Sequence, residues 1–167
     1  MTPTNEPSKG PLATDVVQRH VRRMRWTTVL FLLTVPAAAI AGFLAEPRRS
    51  AFVSSSVMTL LALAAGLWIG FTANRDADHR LERVKRAFAA HGDERRLLRD
   101  HWLVYLAVLL RLEVIILCGV VVAVWGLGPF PATWVVVLGG VMIGLTWPTV
   151  RKTQLLLGRA RAMRSDG

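Results

Sequence analysis

Apolar residues in this chain gather in four long blocks separated by polar or turn-forming stretches. The blocks run from Trp26 to Ala45, Ala51 to Ala73, Trp102 to Leu127 and Ala132 to Val150. Each comes close to the ~20 residues with which a helix crosses ~30 Å of hydrocarbon. Backbone groups surrounded by lipid must be paired within their own segment, so all four blocks are predicted to be helices. Pro36 predicts a kink within the first, and Pro148 a helix end or bend at the close of the fourth.

The polar stretches have a pattern of their own. Between Asn74 and Asp100, Leu81, Val84 and Phe88 recur at i, i+3 and i+7, the spacing of one helical face. Asp76 with Arg80 and Glu82 with Arg86 fall at the i, i+4 spacing of helical ion pairs. Gly92 predicts a stop, and Asp93 a cap for a new helix running through Arg99 into the third span. The C-terminal tail sets Arg151, Lys152, Arg159, Arg161 and Arg164 around Leu155 to Leu157, which predicts a short basic helix with an apolar side. Residues 1–14, with Pro3, Pro7, Pro11, Ser8 and Gly10, read as a disordered tail.

Composition agrees with the blocks: 53% of the 167 residues are hydrophobic and mean hydropathy is +0.40. Net charge is +10, from 21 Lys and Arg against 11 Asp and Glu. A soluble domain with that balance would point to nucleic acid, but here the cations sort by segment. Lys9, Arg19, Arg22, Arg23 and Arg25 precede the first span, eight cations lie between the second and third, and five follow the fourth. The first outer loop holds only Arg48 and Arg49, and the loop around Gly126 to Pro131 holds none. The positive-inside rule then places both termini and the central segment in the cytoplasm of a multi-pass protein of the cell (inner) membrane. Trp26, Trp102 and Trp147 fall at the cytoplasmic ends, Trp125 and Trp134 at the outer ends, and Trp68 about a turn inside, as in an interfacial aromatic belt. Apart from Lys9, Lys85 and Lys152 the cations are all arginine, a skew that reads as the coding bias of a GC-rich bacterium. Arg19 to Arg25 ahead of an apolar run also fit a signal peptide, but the run exceeds the usual apolar core of roughly 7–15 residues.

Gly66 to Thr72 resembles Gly140 to Thr146 at an offset of 74, Trp26 matches Trp102 at 76, and Leu81 falls on Leu155. These matches predict an internal repeat. Residues 15–73 form the first copy, 74–150 the second, with cytoplasmic helices over 76–100, and 151–167 are a basic tail. A unit with two spans returns to its starting side, so the copies run parallel and not inverted. The fold class expected is an all-α membrane protein, four transmembrane helices in two tandem hairpins with short cytoplasmic amphipathic helices. Ala62, Gly66 and Gly70, then Gly119 and Ala123, then Gly140 and Gly144, form small-residue ridges at four-residue spacing that permit close helix packing.

Arg80, Arg83, Lys85, Arg86, Arg95 and Arg96 are expected to contact anionic headgroups of the bilayer, each contributing roughly 1 kcal/mol near the surface. Acids interleaved with them argue against nucleic acid as a partner; a cytoplasmic docking surface is the alternative.

Arg111 and Glu113 are the ionisable residues deep within a span. Counted from Trp102 at ~1.5 Å per residue, they lie roughly 13 and 16 Å in, near the midplane. Charges there need protein or water beside them. Two residues apart on a helix they do not share a face, and no other span offers a deep opposite charge. Within the chain the remaining partners are hydroxyls such as Thr34, Ser54, Ser55, Ser56 and Thr59, and carbonyls freed by Pro36. Three outcomes follow: Arg111 of one copy pairs with Glu113 of another in a homo-oligomer, both line a hydrated path, or Glu113 is protonated while Arg111 draws water and headgroups inward.

Cys118 is the single cysteine, so no disulfide framework or thiolate metal site is expected. His20, His79, His91 and His101 lie outside or at the edge of the spans, which removes the paired intramembrane histidines of a b-type haem protein. No nucleotide-binding or hydrolase motif occurs, Ser54 to Ser56 lack a base, and His101 beside Asp100 reads as a cap and interface pair. The expectation is therefore no enzyme, no cofactor and no metal. It is a small bacterial membrane protein acting by helix–helix association, as an accessory or regulatory subunit with a membrane partner protein or copies of itself. The alternative is an oligomeric channel, holin-like pore or small exporter using Arg111 and Glu113.

Overall fold

The computed structural model describes residues 14–44, 55–124 and 129–165. Five helices and no strand occur among them: α1 Thr14–Leu44, α2 Ser55–His91, α3 Glu94–Val122, α4 Pro129–Leu145 and α5 Val150–Ser165. The tail ahead of Thr14, the loop with Arg48 and Arg49, and Trp125 lie outside the described residues.

Two helices, α1 and α3, are long and apolar enough to cross a membrane, and α4 with α5 qualifies as a third only as a pair bent by 55°. Boundaries expected from polarity are in part not structural breaks. The first basic stretch and the first span are one helix, α1, which carries Pro36 without ending. The second span and the amphipathic segment are likewise one helix, α2, because nothing between Ala73 and Asn74 stops it. Polarity changes there while backbone hydrogen bonding does not.

The predicted break at Gly92 is present. Gly92 has φ 69°, the left-handed conformation glycine adopts at low cost, and its N–H donates to the Phe88 carbonyl at 2.7 Å. Asp93 caps α3, its carboxylate accepting from the N–H groups of Arg95 and Arg96 at 3.0 and 3.3 Å. The fourth block is shorter than expected: α4 stops at Leu145 and not at Val150. Pro148 removes a donor and restricts Trp147, so the chain turns and restarts, the Thr149 hydroxyl accepting from the Lys152 N–H at 3.2 Å. Arg25 on α1 donates to the carbonyl of Pro148 at 3.3 Å, satisfying a group that the break sets free.

α3 is the central helix. It packs on α1, α2 and α4, and α1 and α2 lie against the α3–α4 pair with at most marginal contact between themselves. Of the two expected hairpin pairs, α3 and α4 pack directly on each other, while α1 and α2 are joined through the α3–α4 pair among the described residues. The main core joins Leu109, Leu112, Ile115, Ile116, Val135, Val136 and Ile143, all at most 1% exposed. A second cluster at the basic end joins Val17 and Val21 of α1, Phe88 of α2, Leu97 and Leu98 of α3, and Leu156, Leu157 and Ala160 of α5. Leu81 and Val84 pack against it, so the amphipathic face of residues 81–88 is covered by protein and not turned to lipid. Arg161 of α5 clasps Glu94 of α3 at 2.7 Å across this end. Outward from the main core, Leu30, Leu33, Phe43, Leu60, Phe71, Leu110, Leu117 and Val141 are exposed, an apolar exterior suited to hydrocarbon.

Candidate functional site

α2 and α3 run antiparallel from the turn at Gly92 and Asp93, and their register brings Asp76 to Arg111. The Arg111 guanidinium donates to the Asp76 carboxylate at 2.5 Å, with both side chains about half exposed. This corrects the expectation that the chain holds no opposite charge for Arg111. It also moves Asp76 away from its expected local pairing with Arg80. Glu113 takes a different neighbour, accepting a hydrogen bond from the Thr34 hydroxyl of α1 at 3.1 Å. The two charges, pointing away from each other on α3, thus fasten α3 to α2 on one side and to α1 on the other. Leu112 between them is fully buried in the core. Ser54 lies outside the described residues, as do the side chains of Ser55, Ser56 and Thr59.

One polar layer toward the basic end, the Tyr105 hydroxyl meets the Thr28 hydroxyl at 2.6 Å. Beside it a cavity of about 270 Å³ opens between α2, α3 and the α4–α5 bend. Its polar lining comes from Asn74, Asp78, His101, Tyr105, Thr146 and Lys152. Such a lining of mixed charge suits a small polar or zwitterionic group better than an apolar one. His101 turns to His20 of α1, Nδ1 to Nε2 at 3.3 Å. Burial pushes His101 down to about 4, and burial followed by the Arg23 charge lowers His20. Asp100 does not pair with His101 as expected; it faces Arg99 at 3.5 Å and Arg96 at 3.9 Å.

Of the expected headgroup contacts, Arg80, Arg83, Arg86, Arg95 and Arg96 are exposed. Lys85 is 5% exposed and bound to Glu82 at 2.6 Å. A buried, paired ammonium has no free donor face for a headgroup, so Lys85 leaves that set. Lys85 also takes the place expected for Arg86 as the partner of Glu82 and draws its carboxyl down.

The small residues pack within the chain. A Cβ at Gly66 would stand 3.1 Å from Ile115 and 3.2 Å from Leu138, one at Gly70 3.4 Å from Met142, and one at Gly140 3.0 Å from Val35. Ala62 packs on the main core, and Gly119 and Ala123 are buried. Gly144 meets nothing within 4 Å, so its ridge is open. Sequence spacing missed Gly139, whose Cβ would come within 2.6 Å of the Ile116 side chain and 3.3 Å of its backbone nitrogen. Gly139 lies outside the four-residue ridge, and only the α3–α4 contact reveals its role.

No group of three or more His, Cys, Asp or Glu able to hold a metal ion occurs among the described residues. Comparison with known protein families, curated proteins and solved structures finds no match to this chain.

Proposed function

We propose that the chain is a four-span integral membrane protein of the bacterial inner membrane that works by association, as a small accessory or regulatory subunit. Both termini and the turn at Gly92 lie in the cytoplasm on this reading, following the distribution of cations. Helix lengths support the four spans. Thr28, Tyr105, Ala77 and Thr146 form one level, since Thr28 bonds Tyr105 and Tyr105 shares a cavity with Ala77 and Thr146. From that level to the far ends of α1, α2, α3 and α4 is roughly 25–33 Å at ~1.5 Å per residue, close to the hydrocarbon thickness. Arg111 is then about 9 Å inside and Glu113 about 12 Å, shallower than the depths counted from Trp102 but still nearer the midplane than the headgroups. Asp76, one residue inside that level, draws the Arg111 guanidinium back toward the headgroups, which lowers its cost relative to an unpaired arginine at the centre.

One observation carries the choice of association over conduction: the middle of the bundle is a packed apolar core, Leu109, Leu112, Ile115, Ile116, Val135 and Ile143 being fully buried. Arg111 and Glu113 flank that core and do not line a path through it. Neither charge requires a second copy, because Asp76 and Thr34 serve them within the chain. Homo-oligomer formation consequently loses its electrostatic motive, and a membrane partner protein meeting the exposed apolar flanks or the cytoplasmic end becomes the favoured association. Ion flux is measured in liposomes for the parent, Arg111→Leu and Glu113→Leu. The expected result is flux no greater than in empty vesicles for all three; parent flux abolished in both variants would reverse the reading in favour of a channel or exporter.

A further inference from the structure

The basic end carries a feature separate from the Arg111 layer. An open groove of about 430 Å³ lies between α1 and α3, lined by Arg19 and Arg23 from α1 and by Arg95 and Arg99 from α3. Trp102 forms one wall, and the Arg23 guanidinium carbon stands 4.2 Å from its ring centroid. Val16, Leu98 and His20 complete the lining, which among the described residues contains no carboxylate. The engagements of its arginines are weak. Arg19 donates to the backbone carbonyl of Asp15 at 3.4 Å, and Arg99, about two-thirds exposed, meets Asp100 at 3.5 Å.

The four arginines are two copies of one pattern. Arg19, Arg23 and Trp26 recur as Arg95, Arg99 and Trp102, identical at an offset of 76. The spacing i, i+4, i+7 sets each trio on one face of its helix. α1 and α3 run in the same direction and pack side by side, with His20 on His101 and Arg23 over Trp102, so the two copies face one groove, staggered along it by about one helical turn. Two equivalent pairs of guanidiniums, each able to bind phosphate through two donors, match a ligand with two phosphates.

We propose that this groove is a binding site for an anionic phospholipid whose headgroup carries two phosphates, a diphosphatidyl lipid. The proposal rests on the membrane placement given above, which sets the arginines about one and two turns to the cytoplasmic side of Trp26 and Trp102, in the headgroup layer. The faces that carry the arginines continue as exposed apolar tracks, Trp26, Leu30 and Leu33 on α1 and Leu103 and Leu110 on α3. Acyl chains lie along those tracks while the headgroup sits among the guanidiniums; a soluble phosphate gains nothing from them. Diffuse attraction of headgroups to the exposed arginines of α2 is a different effect, since it requires neither two phosphates nor a groove.

The test titrates the purified full-length protein, in neutral detergent, with cardiolipin, phosphatidylglycerol, phosphatidylethanolamine and inorganic diphosphate, reading occupancy by native mass spectrometry. Cardiolipin is expected to bind at least about tenfold tighter than phosphatidylglycerol, and Arg19→Gln with Arg95→Gln, or Arg23→Gln with Arg99→Gln, to weaken it by about tenfold or more. The paired Arg→Lys variants, which retain charge but lose the bidentate fork, should fall between parent and Gln variants and guard against simple misfolding. Arg83→Gln with Arg86→Gln removes equal charge from α2 and should change affinity by less than about twofold. Equal loss in that control pair, or equal binding of the two anionic lipids, overturns the proposal. Inorganic diphosphate competing as well as cardiolipin would assign the groove to a soluble phosphate instead. Alkaline extraction of native membranes tests the underlying placement separately: release into the soluble fraction defeats the membrane reading, whereas retention with no lipid preference defeats only the groove.

Discussion

Asp76 and Arg111 depend on each other unequally. Removing the carboxylate leaves a guanidinium unpaired beside apolar surface, whereas removing both charges leaves nothing to solvate. Asp76→Asn is therefore expected to lower the melting temperature in detergent more than Asp76→Asn combined with Arg111→Leu, and a single variant as stable as the double would show that the pair is not coupled. The pair was not legible in the sequence. Local i, i+4 spacing assigns Asp76 to Arg80, and only the register of the α2–α3 hairpin, counted outward from Gly92, brings residues 35 apart together. Gly139 teaches the same lesson for packing. Gly139→Ala should cost about 1–3 kcal/mol in detergent unfolding, because the added methyl meets Ile116 in side chain and backbone. Gly144→Ala, facing open space, should be neutral or stabilising by up to ~1 kcal/mol through helix propensity. The reverse ranking would contradict the α3–α4 contact.

At the scale of elements, the sequence reading succeeds where local chemistry decides and fails where only polarity changes. Gly92 with Asp93, and Pro148, mark real helix ends because one needs a left-handed residue and a cap and the other cannot continue hydrogen bonding. Ala73 to Asn74 marks none, and α2 runs through it. At the offset of 74, Asn74 is the counterpart of Pro148, so α2 continues at the place where the chain breaks between α4 and α5. The α1–α3 seam gives a pH prediction. His20 and His101 are both held below the ordinary histidine value, 6.5, and His101 to about 4. The unfolded chain therefore takes up protons first. Stability is complete above about pH 6.5 and falls as pH drops toward about 4, by at most about 1.4 kcal/mol per pH unit for each histidine. Melting temperature measured from pH 7.5 to 4 should follow that course in the parent and flatten in His101→Asn; a parent curve that is flat or rises toward acid would contradict the buried pair.

At the scale of the whole molecule, one helical bundle serves two environments. Its loop end presents apolar residues outward around a buried apolar core, and its basic end closes over Val21, Phe88, Leu97 and Leu157 with arginines outside. Among the described residues, segments that the sequence marks as helical are helical, but their arrangement required contacts between distant residues: α1 and α2 each pack on the α3–α4 pair and hardly on each other, which no periodicity encodes. On the proposed placement the bilayer meets this bundle at Thr28, Tyr105, Ala77 and Thr146 and not at Trp102 alone. Depth is measured most directly by spin labels at single cysteines replacing Leu103, Leu110, Val114, Leu117 and Val121, exposed positions along α3, in a Cys118→Ser background in bilayers. Oxygen accessibility is predicted to be low at 103, to rise through 110, to peak between 114 and 117 and to decline at 121, with a water-soluble relaxant showing the inverse. A maximum at 110 or before it would place Arg111 at the bilayer centre, and uniform water exposure along α3 would remove the membrane altogether; either result contradicts the proposed placement.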